Sequence, residues 1–401
     1  QIPAQTITIV LNGTRVTTPL NLSVYVNNAL INCQDITFDG AQTKNVTIPA
    51  IYASSSLSIF INSGSCSLSP PPPNLYNTSF SAVNVNRGSG QYMVAGNSFI
   101  SQSSQFYSGY LYRSSDYGVT WSQTNFYGYW LKISSSDDGR YVIAIDYSGY
   151  IYLSSNYASS FTQITSIGNP GGIASWSGAA LSNDGQYQII VGNNIDAFES
   201  SAIYVSTNYG STWSQVYLSS YNTYGSCTIN ENGSVFLVGG GIAGTSFILR
   251  STDQGGSWTN VYNGIYGSSV NDISINASNG WVLASNYGTA YDGFYLVKSS
   301  NSGVSFTQIN GGSAKNSWMR VALKNTVSGL ALYYLGGTGT SYIQQVVGAG
   351  PAFMGTVSNL TSSPVKNWHA IACSDNGNYI LAGERYGLWL STNGGSSFNQ
   401  L

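Results

Sequence analysis

Cleaving a glycosidic bond takes two carboxyl groups held at a set separation on either side of it. This chain has 12 Asp and 3 Glu from which to draw them. Asp137, Asp138, Asp184 and Asp375 lie in Gly-containing turn segments, Asp116 and Asp253 in a recurring octapeptide, and Asp35 and Asp39 in the first 68 residues. Glu199 and Glu231 are two of the three Glu, and Glu231 sits beside a turn glycine. Of the remaining acids, Asp146, Asp196, Asp272, Asp292 and Glu384, an atypical acid/base pair would come from Asp146, Asp272 and Glu384. His369 is the only histidine, and no Gly-x-Ser-x-Gly elbow accompanies it. Its place beside Trp368 predicts packing rather than proton relay. Zinc chemistry needs His and Cys at short spacing, and the sequence has no such cluster. No catalytic residue, metal site or cofactor site is therefore assigned, and the expectation is a protein that is not an enzyme.

Composition points the same way. Charged residues make up 7% of 401, against about 25% in an ordinary domain. The net charge of -2 supplies no basic field, which excludes binding to a phosphate backbone. An aromatic content of 13% and sparse charge favour burial over disorder. No run of 18 apolar residues is present to span a membrane as a helix. Solubility must then come from Ser, Thr, Asn, Gly and 31 Tyr, or from sugars. Seven Asn-x-Ser/Thr triplets suit a secreted glycoprotein: Asn12, Asn21, Asn45, Asn77, Asn232, Asn276 and Asn359. A start at Gln-Ile-Pro reads as a processed N-terminus. Cys33 and Cys66 are expected to form a disulfide, and Cys227 and Cys373, on apolar runs in different repeats, to be buried thiols.

The elements that position these residues announce themselves by repetition. Ser114-Ser-Asp-Tyr-Gly-Val-Thr-Trp121, Ser206-Thr-Asn-Tyr-Gly-Ser-Thr-Trp213 and Ser251-Thr-Asp-Gln-Gly-Gly-Ser-Trp258 are copies of one octapeptide. Weaker copies run 154–161, 299–306 and 391–398, and a degenerate one 346–353. Their glycine position recurs about every 46 residues. A second series, Gly90, Gly139, Gly185, Gly233, Gly280, Gly329 and Gly377, precedes apolar runs at nearly the same period. Each unit reads as four short strands rich in Val, Ile, Tyr and Thr between Gly/Asn/Asp turns. In the second unit these are 130–134, 141–145, 150–154 and 160–164. Four strands per repeat of this length predict a propeller blade, and seven repeats a seven-bladed ring. Asp272 and Arg320 fall on inner strands of successive repeats, where an ion pair near the channel is expected.

The Ser/Thr-x-Asp-x-Gly-x-x-Trp/Phe pattern resembles the Asp-box (BNR) repeat of sialidase-like β-propellers, over roughly residues 75–401. The resemblance implies a structural hairpin between the third and fourth strands of each blade. In it the carboxylate of Asp116 or Asp253 takes backbone N–H groups, and Asn156, Asn208, Asn301 and Asn393 stand in for it. The aromatic at Trp121, Trp213, Trp258, Phe306 or Phe398 fills the space between sheets. It also implies an enzyme with an arginine triad, a Tyr-Glu pair and an Arg-Ile-Pro segment. This chain has seven Arg and no Arg-Ile-Pro, which argues against that activity.

Residues 1–68 contain alternating runs at 6–11, 22–26, 44–48 and 57–61, expected as five or six strands of a small β-sandwich-like connector domain. A complete immunoglobulin-like sandwich needs about seven strands. Residues 69–74 form a proline-rich linker whose Ser69-Pro70-Pro71-Pro72-Pro73 reads as a polyproline II spacer. It also resembles the extensin modules, which implies sugar-bearing hydroxyprolines. The fold expected is all-β, a seven-bladed propeller over 75–401 behind that connector. The function expected is a structural subunit of an extracellular filament, appendage or wall layer that self-associates into a homopolymer and carries or binds glycans. Tyr and Trp in excess of the box positions leave a lectin-like propeller as the alternative.

Overall fold

In the computed structural model the chain divides into two compact units, 1–74 with 119–121 and 75–118 with 122–401. The structure describes residues 5–11, 20–26, 29–36, 42–48 and 57–63 of the first. From 79 onward it describes all but 98, 101–105, 168–174, 194–199, 220–221, 243–244, 267, 277–279, 289–294, 310–317, 324–330, 337–340 and 348–355. Every regular element among the described residues is a strand.

In the first unit Gln5–Leu11 pairs antiparallel with Gln42–Ile48. Leu20–Val26 lies between Ala29–Ile36 and Leu57–Ser63. Five strands thus form a two-stranded and a three-stranded sheet. Ala29–Ile36, which holds Cys33, was not among the alternating runs of the sequence because Asn32, Cys33 and Gln34 interrupt the pattern. Asn21 and Asn45 lie on strands. Cys66, Asn12, Asn77, Pro70, Pro71, Pro72 and Pro73 fall outside the described residues, and with them the expected Cys33–Cys66 bond and the spacer.

The second unit contains seven four-stranded antiparallel sheets, six of them formed by consecutive strands and the first with a separate two-stranded pair, Phe99–Ile100 and Phe106–Tyr107, between its second and third strands. Their first strands are Phe80–Val85, Trp130–Ser135, Ser175–Leu181, Asn222–Ile229, Ser268–Ile275, Trp318–Leu323 and Trp368–Cys373. Each packs on the first strand of the next sheet, and Trp368–Cys373 packs on Phe80–Val85, so the sheets follow one another in a closed cycle. The second strands are almost wholly apolar: Val142–Asp146 and Ile380–Glu384 are buried at every residue. That is what a strand covered on both faces requires. Apolar clusters accordingly join neighbouring sheets. One combines Trp130 and Ile133 with Val94 and Leu111, and another Tyr224 and Phe236 with Ile189 and Ile203.

Six of the inner strands carry a bulge near their start, as between Trp130 and Lys132 or Trp368 and Ala370. The bulge lets a large residue face the gap between sheets while the following ones line the axis. Trp130, Trp176 and Trp368 fill that gap fully buried, and their Nε1–H groups donate to the carbonyls of Gly109, Gly149 and Ser341 in the preceding sheet.

At the other end of the inner strands the turn glycines adopt φ of 68° to 78° at Gly90, Gly139, Gly185, Gly233, Gly280 and Gly377. Four of them also have a tyrosine of the preceding sheet against the Cα. A Cβ on Gly139 would lie 2.6 Å from the Cβ of Tyr92, and one on Gly185 2.6 Å from the ring of Tyr141. Two independent penalties therefore act on any substitution there. Gly139→Ala should lower stability by about 2–4 kcal/mol in chemical denaturation, combining left-handed strain and overpacking. The loss should shrink in the Tyr92→Ala background, whereas an equal loss there would remove the contact from the explanation.

Candidate functional site

The octapeptide forms the same hairpin in six sheets, between the third and fourth strands. Its first serine makes two bonds at once. Ser114, Ser154, Ser206, Ser251, Ser299 and Ser391 each donate Oγ–H to the Asp or Asn two residues on, at 2.7 to 3.0 Å. Each also accepts the N–H four residues on, at 2.9 to 3.0 Å. The Asp or Asn oxygen then caps a later N–H: Asp253 Oδ1 takes Ser257 N–H at 2.8 Å and Asn208 Oδ1 takes Thr212 N–H at 2.9 Å. Asn301 and Asn393 do the same with Ser305 and Ser397. Bonds from Ser257, side chain first and then backbone, hold the exposed Asp253 carboxyl down to about 2. Asp253 is thus a turn cap, and Asp116 accepts the Ser114 Oγ–H at the same place in its own box. The degenerate copy at 346–353 lies outside the described residues apart from the strand ending at Val347.

The aromatic of the box sits between sheets. Trp213, Trp258, Phe306 and Phe398 pack on the clusters joining the sheets at their own and the preceding positions. Trp213 and Trp258 donate to the carbonyls of Gly210 and Gly255 of their own boxes. Trp121 is buried.

The sequence missed what the tyrosine before the box glycine does. Tyr117, Tyr157 and Tyr209 have φ of 60° to 62°, so two successive residues of the box are left-handed, not the glycine alone. That geometry aims each ring at a turn tyrosine of the preceding sheet. Tyr157 stacks on Tyr92 at 4.5 Å, Tyr209 on Tyr141 at 5.1 Å and Tyr117 on Tyr379 at 5.2 Å. Gln254 replaces the ring with a bond to the hydroxyl of Tyr187. Part of the tyrosine surplus is therefore an inter-sheet clasp. The spacing from turn glycine to tyrosine, as in Gly90 to Tyr92 and Gly139 to Tyr141, was the available signal.

The candidate acids are dispersed. Asp146, 4% exposed, caps its own hairpin by accepting Ser148 N–H at 2.8 Å. Glu384, 1% exposed, accepts Tyr386 N–H at 3.1 Å and Trp389 Nε1–H at 3.3 Å, and pairs with Lys366 at 3.4 Å. Neither lines the axial cavity that Asp272 lines. Asp196, Asp292 and Glu199 lie outside the described residues. His369 is mostly buried, and desolvation, outweighing Glu384, pushes it below its ordinary value.

Asp272 does not make the expected ion pair with Arg320. Its Oδ1 instead receives Lys132 Nζ at 2.9 Å, from the second sheet, and Ser226 Oγ at 2.8 Å, while Oδ2 accepts Val321 N–H at 3.0 Å. Burial pushes the carboxyl up, but Lys132, Arg320 and the Val321 N–H together hold it below the usual range. Cys227 and Cys373 also line this cavity as buried thiols, and desolvation raises Cys227.

At the turn end of the cavity lies Arg87. It reaches Asp375 at 3.3 Å, Asp137 at 4.0 Å and the carbonyl of Ile275 at 3.1 Å, and so ties four sheets together. Burial first, then Asp375, Glu231 and Asp138, raise Asp137 to about 6 against the opposing pull of Arg87.

Of the remaining triplets, Asn232 and Asn359 are exposed. Asn276 is corrected: its side chain is 2% exposed at the turn position that Asn86 and Asn230 occupy in other sheets, so the folded chain has no room for a glycan on it.

A model of the BNR-Asp box repeat matches residues 111–124. No curated protein sequence matches the chain. Among solved structures, the GH74 xyloglucanase from Xanthomonas campestris superposes with a TM-score of 0.55 at 16% identity, over 81% of this chain and 53% of that one. An oligogalacturonate lyase in complex with manganese gives 0.54 at 10%, over 79% and 90%. U3-55K gives 0.52 at 14%, over 80% and 94%. The fold is a β-propeller. Identities this low speak for architecture alone, since unrelated functions share such folds.

Two measurements probe the propeller's bonding. Ser251→Ala removes one hydroxyl from two bonds and should cost about 1–2 kcal/mol of stability. A loss no greater than that of an exposed Ser→Ala control would show the hydroxyl to be dispensable. Asp137 has its folded pKa raised from 3.8 to about 6. Its contribution is therefore fully present below the unfolded value and lost as pH rises through the folded one. Stability should fall from pH 4 to pH 7 by something on the order of 2 kcal/mol from this group. Asp137→Asn should flatten that part of the profile; an unchanged slope would mean the carboxylate is already compensated.

Proposed function

We propose that the chain is a secreted, glycosylated, non-enzymatic building block of an extracellular filament, appendage or wall layer. The seven sheets act as the blades of one rigid seven-bladed, sialidase-like module, with the N-terminal unit as connector and the extensin-like Ser-Pro segment as spacer. The observation that carries this reading is the make-up of the N-terminal unit: two strands in one sheet and three in the other, with an unpaired edge on either side of each sheet among the described residues. Such edges accept a strand from another chain through main-chain bonds. Head-to-tail repetition of that contact builds an open polymer. The engagement of Asp146, Asp272 and Glu384 at separate places in the propeller supports a non-catalytic role, and puts a divergent glycoside hydrolase last. Glycans at Asn21, Asn45, Asn232 and Asn359 would supply the solvation that a 7% charge content does not.

One observation favours the second reading, a carbohydrate-binding propeller. Tyr127, Tyr147 and Tyr150 are 60%, 50% and 42% exposed, and ring contacts link Tyr127 to Tyr110 and Tyr147 to Tyr129. Flat aromatic faces with polar rims suit stacking on sugar rings.

Deleting residues 1–11 removes one strand of the two-stranded sheet. Electron microscopy should then show dispersed particles in place of polymers, with the propeller's thermal transition retained. Polymers of unchanged length would overturn the connector role.

A further inference from the structure

Three stacked tyrosine pairs bridge neighbouring sheets, and one of them lies on the seam where the cycle closes. The sheets on either side of that seam, the one begun by Phe80–Val85 and the one ended by Asn399–Gln400, share no strand among the described residues. Across it run the Arg87–Asp375 ion pair at 3.3 Å, the bond from Asp375 N–H to the Arg87 carbonyl at 2.7 Å, and the stack of Tyr117 on Tyr379. The other two stacks, Tyr157 on Tyr92 and Tyr209 on Tyr141, join the next two pairs of sheets around the ring.

Each stack is held from both ends. The box tyrosine is fixed by its left-handed backbone and by its own N–H, which donates to the carbonyl of Gln91, Arg140 or Gln186 at 3.0 Å. Its partners Tyr379, Tyr92 and Tyr141 rest against the Cα of Gly90, Gly139 and Gly185. The ring planes are 28° to 30° apart and the centroids 4.5 to 5.2 Å apart. Nearly parallel phenols at that separation bring the carbons beside each hydroxyl close to those of the other ring. The pair Tyr110–Tyr127 is different, since rings at 66° set the edge of one against the face of the other. Tyr117, Tyr157 and Tyr209 are 39%, 37% and 41% exposed, so a dissolved oxidant reaches one ring of every stack. The thiols of Cys227 and Cys373, which compete for oxidants when exposed, are buried.

We propose that the three stacked pairs are sites of oxidative tyrosine coupling within one chain, and that the link between Tyr117 and Tyr379 closes the ring covalently. The oxidant is hydrogen peroxide, turned over by a haem peroxidase. Each phenol gives up one electron and its hydroxyl proton. The two phenoxyl radicals join carbon to carbon beside their oxygens, and the hydrogen on each joined carbon moves to its oxygen to restore the ring. The peroxide takes up the two electrons and two protons and leaves as two water molecules. Tyr117 and Tyr379 are 262 positions apart. A covalent link over so long a loop restricts the unfolded chain strongly, as a long-range disulfide does. The site is independent of any filament role.

The test treats the dilute full chain with hydrogen peroxide and a haem peroxidase, then separates monomer from chain-to-chain products. The monomer should gain dityrosine fluorescence and lose two hydrogen atoms per link in its mass. Proteolysis should release joined peptides carrying Tyr117 with Tyr379, Tyr92 with Tyr157 and Tyr141 with Tyr209. The linked monomer should unfold at a higher temperature than the untreated chain. Tyr379→Phe keeps the stacked ring but forms no phenoxyl radical, so it should abolish the first joined peptide, spare the other two and lose much of the thermal gain. Tyr117→Phe should do the same from the other side of the seam and guards against a folding defect in the first variant. Three results would overturn the proposal: no linked monomer, joined peptides only from pairs other than the stacks, such as Tyr110 with Tyr127, or a linked monomer without the Tyr117–Tyr379 peptide.

Discussion

A four-stranded sheet whose second strand is buried at every residue cannot stand in water. Val142–Asp146 and Ile380–Glu384 have no solvent face to offer, so each sheet needs a neighbour on both sides. That need is met only by a closed cycle, and contact between Trp368–Cys373 and Phe80–Val85 closes it. The other features follow from it. Large residues at the bulges fill the wedge between sheets, glycines in the turns let tyrosines approach, and the inner strands are left to face an axis.

A chain with so few charges builds its fixed points from hydroxyls. The serine that opens each box bonds the following Asp or Asn and a backbone N–H together. The inner-strand turns repeat the device with Ser136 and Asp138, Ser182 and Asp184, and Ser374 and Asn376. Two such clasps in one sheet fix both the axial and the peripheral turn without burying an unpaired charge. Local bonds of this kind form early in sequence distance and tolerate Asp-to-Asn exchange, because only the Oδ1 acceptor is required. The few ionic contacts that occur among the described residues include one between the two sheets that close the cycle, Arg87 with Asp375, and one across the axis, Lys132 with Asp272.

That division of labour explains the fate of the candidate catalytic groups. A carboxylate that caps its own hairpin, like Asp146, or that is satisfied by a backbone N–H, an indole and a lysine, like Glu384, has its lone pairs committed. Asp272 is similarly spent on its wall of the axis.

Periodicity, turn chemistry and box spacing were legible in the sequence because they depend on contacts within about ten residues. The hairpin at Ser251 to Trp258 and the turn at Gly139 follow from side chains reaching their own backbone. Asp253 could be read as a cap for that reason. Contacts between sheets could not be read. The partner of Asp272 is Lys132, 140 positions away, not Arg320 in the adjoining repeat, because the ring brings opposite walls within reach of a lysine stem. The tyrosine clasp and the burial of Asn276 likewise depend on how the next sheet is laid down. Sequence fixed what each repeat does to itself; closure of the cycle decided which distant side chains meet, since only the ring sets the distances across its axis and its seams.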